Sequence, residues 1–175
     1  MITWNPTERS KMTTEKLERA KKQARAQLDS IVVMVKRLEH CQECDGDACE
    51  LSDEEIYEGI NLYYREGDVA SEEEKREYHD RDKAEEIIRE DPLLIEVRTG
   101  WHTPGECEEP MEYCILLCTG GPACQIIGDL DEYLQPSTAR LEYQDWFTPW
   151  ISYNETSEGD NEALLTYARQ FYFGI

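Results

Sequence analysis

The apolar period of this chain changes at Asp91-Pro92, from about four residues to two. That break constrains the fold most, because a period near 3.6 buries one face of a helix and a period of two buries one face of a strand. A helical half is expected before Pro92 and a sheet half after it. Proline strengthens the boundary, since the residue before it is pushed out of the helical region.

In the helical half, Leu17, Ala24, Ile31 and Leu38 recur every seven residues, with Leu28 and Val35 between them and Lys21 breaking the seam once. This spacing predicts one helix from Thr14 to about Glu39, roughly 39 Å long at the helical rise. Such a helix cannot bury its seam alone. It must pack on another helix, on the sheet, or on a second copy. Residues 1–12 read as a flexible lead-in, in which Met12 resembles a second possible start. Ser52-Asp53-Glu54-Glu55 and Ser71-Glu72-Glu73-Glu74 are two capping boxes. They predict acidic helices from Asp53 to about Tyr64 and from Glu72 to about Arg89.

In the sheet half, 93–98, 112–118, 123–130 and 139–144 read as strands. Gly100 with Pro104-Gly105, Gly120-Gly121-Pro122 and Pro136-Ser137 separate them, and turns this short favour antiparallel pairing. A last helix is expected from Asp160 to about Phe173. The fold class is α+β: a long helix, a Cys loop and acidic helices, then a four-strand antiparallel sheet and a C-terminal helix. Three parts follow, namely the lead-in at 1–12, the helical region with its Cys-rich metal loop at 13–91, and the sheet region at 92–175.

Charge narrows the function classes. The 175 residues carry 18 Lys and Arg against 39 Asp and Glu, a net of −21. A surface that coats nucleic acid would be basic. The charge is uneven: residues 1–40 carry +4, residues 41–91 carry −14, and the remainder carries −11. Asymmetry of this kind points to an electrostatic partner, although an acidic surface also serves solubility. No apolar run approaches the about 18 residues of a membrane span, and no signal peptide opens the chain.

Seven cysteines, an odd number without a secretory signal, fit a reducing compartment. Cys41, Cys44 and Cys49 cluster in a polar loop around Gly46. The two-residue gap lets a tight turn aim two thiolates at one ion, and a closed zinc site needs a fourth ligand. His79 leads as that ligand, because a returning helix could bring it over the loop; His40 and Glu54 are the alternatives. A structural zinc held by Cys41, Cys44, Cys49 and His79 is the expected cofactor. Cys114 and Cys118 are four residues apart on one strand face and, with Cys124, read as small core thiols; Cys107 reads as exposed.

Catalytic patterns fade on inspection. His102, Glu106 and Cys107 share a turn without a required hydrogen-bonding geometry. Thr119-Gly120-Gly121-Pro122 lacks the Lys-Ser or Lys-Thr of a phosphate loop and joins strand to strand. Trp146, Phe147 and Trp150 read as a lid on the core, with an exposed interface patch as the alternative. An enzyme is not expected.

Gly100-Trp101-His102-Thr103-Pro104-Gly105-Glu106, together with Leu117-Cys118-Thr119-Gly120-Gly121-Pro122-Ala123, Gly128-Asp129-Leu130 and Leu141-Glu142-Tyr143-Gln144-Asp145-Trp146, resembles small proteins of phages and mobile elements in gut Firmicutes. The likeness covers roughly residues 93–150. The three-Cys loop and acidic helices add a likeness to type II-A anti-CRISPR proteins, some of which contain zinc. The resemblance implies an inhibitor of the RNA-guided type II Cas nuclease, acting in the cytoplasm of a bacterial host; it names no contact residues. Such a nuclease holds nucleic acid in positive channels. The acidic helices, with Asp53, Glu54, Glu58, Glu72, Glu73 and Glu77, would meet such a surface and block target DNA loading, as monomer or dimer. The alternative is a zinc-containing nucleic-acid-binding or regulatory adaptor of a mobile element, with Lys16, Arg19, Lys21, Lys22 and Arg25 as its contact surface.

Overall fold

The computed structural model describes residues 6–44, 49–60, 65, 67–101, 103, 109–146 and 148–174. Five helices and five strands follow in the order α1 (Pro6–Glu43), α2 (Asp53–Ile60), α3 (Glu72–Tyr78), α4 (Arg81–Glu90), β1 (Leu94–Arg98), β2 (Glu112–Cys118), β3 (Ala123–Asp129), β4 (Arg140–Gln144), β5 (Ile151–Ser152) and α5 (Glu158–Ala168). The period change at Pro92 is the boundary between the helical half and the sheet, and the class is α+β.

Helix α1 overruns the expected bounds at both ends. It begins at Pro6, inside the expected lead-in, where proline suits the first helical position because its missing N–H had no partner to lose. It ends at Glu43 rather than Glu39, which turns Cys41 from a loop residue into a helical one. The seam is buried within the chain. Ala20, Ala24, Leu28, Ile31, Val35 and Leu38 are 0–2% exposed and pack with α4, α5 and the sheet. Ala20 takes the place that Lys21 would spoil, and Lys21 reaches out to Glu155 at 2.5 Å. Helix α5 supplies Leu164, Tyr167, Ala168 and, just past its end, Phe171. The Tyr167 hydroxyl donates to Asp91 Oδ2 at 2.5 Å, tying α5 to the junction between the halves.

The sheet is an antiparallel meander, β1-β2-β3-β4-β5. Tyr113, Ile115 and Leu117 alternate inward along β2 as period two requires. The expected four strands become five. β5 is two residues long and shows no period, but Tyr153 N donates to Leu141 O at 2.8 Å and holds it on β4. Gly120 and Gly121 turn the β2–β3 hairpin at φ of +106° and +82°, a region closed to most side chains. The Trp146 indole lies against Gly121, where a Cβ would collide with it. Trp146 is 55% exposed, so it does not cap the core as expected; Trp150 is half-buried, and Phe147 lies outside the described residues.

Two further expectations change. The single acidic helix from Glu72 to Arg89 is two helices. The Asp80 carboxylate accepts from Lys83 N at 3.3 Å and starts α4 afresh, as short polar side chains do at helix N-caps. Cys114 and Cys118 are not both core thiols. Cys114 is half-buried on the open face, its thiol donating to Gln125 Oε1 at 3.4 Å. A register shift between Leu116 and Cys118 sets Cys118 opposite the buried Cys124. Residues 61–64, His102, Glu106 and Cys107 lie outside the described residues. Among the described residues no helix is long and apolar enough to cross a membrane.

Candidate metal centre

Helices α2 and α3 have little core of their own. Ile56, Ala70 and Tyr78 are their buried apolar residues, flanked by half-buried Cys49, Leu51, Tyr57 and Ile60. Clusters this small rarely hold a segment in place without a metal or another staple. The last turns of α1 supply two. The first is Arg37, 3% exposed, whose Nε and Nη2 donate to Tyr78 O (3.2 Å) and Glu77 O (2.5 Å). These carbonyls end α3, where Glu77 O also accepts from Asp80 N at 3.2 Å. The Arg37 guanidinium also stands 5.5 Å from the Tyr78 ring centroid.

The second is a candidate staple, a set of four side chains that could hold a metal ion. One donor atom each from His40, Cys44, Cys49 and His79 lies within 4.8 Å of all the others. His40 and Cys44 are four residues apart, so the helical backbone at the end of α1 places both on one face; Cys44 N donates to His40 O at 2.9 Å. Cys49 comes from the approach to α2, and His79 from the C-cap of α3. The Cys49 Sγ to His40 Nε2 separation is 3.4 Å. Tetrahedral zinc with ordinary Zn–S and Zn–N bonds has an N···S edge of about 3.6 Å. The group could therefore close on one ion with small movements.

His79 carries the strongest sign of a missing partner. Its Nδ1 lies 2.6 Å from Lys75 O, an acceptor, which fixes the proton on Nδ1 and leaves the lone pair on Nε2. Nε2 is buried and has no hydrogen-bond partner. A buried polar atom without a partner is costly, and metal-bound histidines have this arrangement, with the second nitrogen donating to a carbonyl. Burial, with the neighbouring His79, holds His40 below the usual imidazole range, so its ring is neutral and able to ligate at neutral pH. Burial pushes the Cys49 thiol up, so metal binding must displace its proton.

The structure brings together three of the four expected ligands, Cys44, Cys49 and His79, and replaces Cys41 with His40. The Cys41 thiol turns away and donates to Tyr78 O at 3.0 Å, beside Arg37. Cys41 and Arg37 form one i,i+4 pair gripping α3, and His40 and Cys44 form the next, facing Cys49 and His79. The sequence pointed to Cys41 because helix α1 was expected to stop at Glu39. In a loop, Cys-x2-Cys makes a knuckle; in the last helical turn, the i,i+4 pair points together instead. Glu54, the other candidate, is exposed on α2 and not in the group.

Asp53, Glu54, Glu58, Glu72, Glu73 and Glu77 are all exposed on the two helices beside the centre. Lys75 bridges Asp53 (2.8 Å) and Glu72 (2.9 Å). Among the described residues no ion pair involves Glu54, Glu58, Glu73 or Glu77. The basic stripe of α1 is different. Arg19 pairs with the buried carboxylate of Asp145 (2.9 Å), Lys21 with Glu155 (2.5 Å), and Arg25 with Asp29 (2.7 Å) and Asp160 (3.6 Å). Three of the five cations proposed for nucleic acid are thus engaged by the chain's own carboxylates.

A second thiol group lies far along the chain, where Cys118 and Cys124 face each other. The Cys124 thiol donates to Cys118 and holds it down at about 7, while Cys124 is pushed well up. Cys118 is then the more readily ionised of the two thiols, and the thiolate is the reacting form. Iodoacetamide should therefore label Cys118 well before the half-buried Cys114, which burial pushes up. The labelling rate should climb with pH and level off at a lower pH for Cys118 than for Cys114. Mass mapping checks this, and equal labelling of the two is the contrary result.

Comparison with family models, curated proteins and solved structures finds no match to this chain.

Proposed function

We propose that this protein is a zinc-stapled acidic binding protein that inhibits an RNA-guided type II Cas nuclease by occupying a basic surface needed for target DNA. The observation that carries this reading is the four-ligand group joining the end of α1 to α2 and α3. It fixes six exposed carboxylates on a segment with little core of its own. Two imidazoles and two thiolates suit zinc, a borderline-soft ion content with tetrahedral N and S donors. Four protein donors leave no open position, so the ion's role is structural rather than catalytic.

The partner class follows from charge, and the nuclease from the resemblance described above. A segment of −14 is steered toward a positive channel, and the unpaired carboxylates on α2 and α3 are free to meet its Lys and Arg side chains. The adaptor reading is weaker, since Arg19, Lys21 and Arg25 are already paired.

Pull-down with guide-loaded nuclease at near-physiological salt, followed by a target DNA-binding assay, tests the proposal. Capture and loss of DNA loading are expected. The triple variant Glu72→Lys, Glu73→Lys and Glu77→Lys should weaken capture by at least about tenfold, because rim charges act through association. Absence of capture would sink the proposal, and a salt-dependent gel shift of duplex DNA by the protein alone would favour the adaptor.

A further inference from the structure

We propose that β1 is a dimerisation edge, at which two copies join their five-stranded sheets by antiparallel pairing of residues 94–100 with themselves, centred on Val97. The sheet has two edges of unlike kind. β5 is two residues long and offers little backbone to another strand. β1 offers five residues, and every one is exposed. The helical layer packs on β3 and β4, and β1 lies beyond it on the far side of β2.

The composition of this edge is that of a covered one. Leu94, Ile95 and Val97 are 37–48% exposed, and Leu93 and Trp101 at its two ends are 60% and 103% exposed. Isolated sheet edges are ordinarily blunted by proline, lysine or a bulge, and Leu94–Arg98 contains none of these. Its two charges, Glu96 and Arg98, alternate with Ile95 and Val97, so the edge admits a strand that offers the opposite charges in register.

Charge selects a second copy and one register. A two-fold axis normal to the sheet keeps each face on its own side, so residues of like parity meet. With the axis at Val97, Glu96 stands opposite Arg98 of the second copy, and the pair occurs twice. With the axis at Glu96, that carboxylate would face its own copy, a repulsive pairing. Arg98 already bonds Glu112 on the neighbouring strand, and in the dimer it would sit between two carboxylates. Among the described residues no ion pair involves Glu96. The same register, carried beyond the strand, sets Leu93 against Trp101 of the second copy, and Ile95 against Thr99. The two most exposed apolar side chains of the edge then meet on one face, and the charges meet on the other.

Analytical ultracentrifugation of the full chain over a range of concentrations tests this. Wild type should show twice the 20.5 kDa chain mass. Glu96→Arg and Arg98→Glu should each be monomeric, because each sets like charges opposite one another in both pairs. Mixed in equal amounts they should form a heterodimer, since every pair is then opposite in sign. Recovery on mixing also shows that both variants fold. A wild-type protein that stays at the chain mass, a dimer that survives both single variants, or a mixture that stays monomeric would each overturn the proposal.

Discussion

The wild type is expected to purify with one zinc per chain, and the Cys44→Ser variant with far less and without the ordered packing of α2 and α3. The reasoning runs from the size of the small core. Ile56, Ala70 and Tyr78 are the buried apolar residues that hold these helices beside α1. Without an ion, the Nε2 of His79 is a buried acceptor with no partner. Loss of a structural metal belongs to the group of changes that cost more than about 4 kcal/mol. The sheet and its cover of α1, α4 and α5 share the larger core and should persist. Hydrogen exchange should therefore rise sharply in residues 53–79 and little in residues 112–144. Cys41→Ser is the paired control. Its hydroxyl can still donate to Tyr78 O, and the variant should keep full metal. Full occupancy in Cys44→Ser would refute the ligand assignment.

Leu28→Ala is the second large effect, and it should act on the other half. Leu28 is fully buried at the middle of the seam, where α1 packs with α5 and the sheet. Removing three carbons there costs transfer free energy and leaves a cavity, about 2–5 kcal/mol together. For a chain of this size each kcal/mol lowers the melting temperature by roughly 2–4 °C. Thermal unfolding followed by circular dichroism should show a fall of roughly 4–20 °C, with zinc content unchanged. The two variants thus separate the cores: one loses metal and local order, the other loses global stability and keeps its metal. A fall of less than about 1 °C in Leu28→Ala would show that the seam does not bear on the sheet.

Much of this division was legible in the sequence. The shift of period at Pro92 located the boundary, and the heptad residues from Ala24 to Leu38 named the buried face of α1. The capping boxes at Ser52 and Ser71 were read directly, because a side chain three residues from its partner makes a local bond. What the sequence hid was set by longer-range contacts. β5 has too few residues to show a period, and only its bond to β4 defines it. Cys118 changed role because a register shift turned it toward Cys124. Asp80 divided the acidic helix by capping α4, a choice between two uses of the same side chain.

The candidate metal ligands show the same limit at one point. Cys44, Cys49 and His79 were readable from residue type and spacing. The fourth depended on whether α1 stopped at Glu39 or at Glu43. One more helical turn exchanges His40 for Cys41, because it fixes which side chains share a face with Cys44. Arg37, which clamps the end of α3, had no sequence signal beyond standing four residues before Cys41.

Zinc K-edge X-ray absorption on protein purified without added metal tests the proposed centre most directly, because it counts sulfur and nitrogen donors. His40, Cys44, Cys49 and His79 predict two sulfurs at about 2.3 Å and two nitrogens at about 2.0–2.1 Å. Three sulfurs and one nitrogen would restore Cys41 in place of His40, and a protein without bound metal would remove the staple on which the proposed function rests.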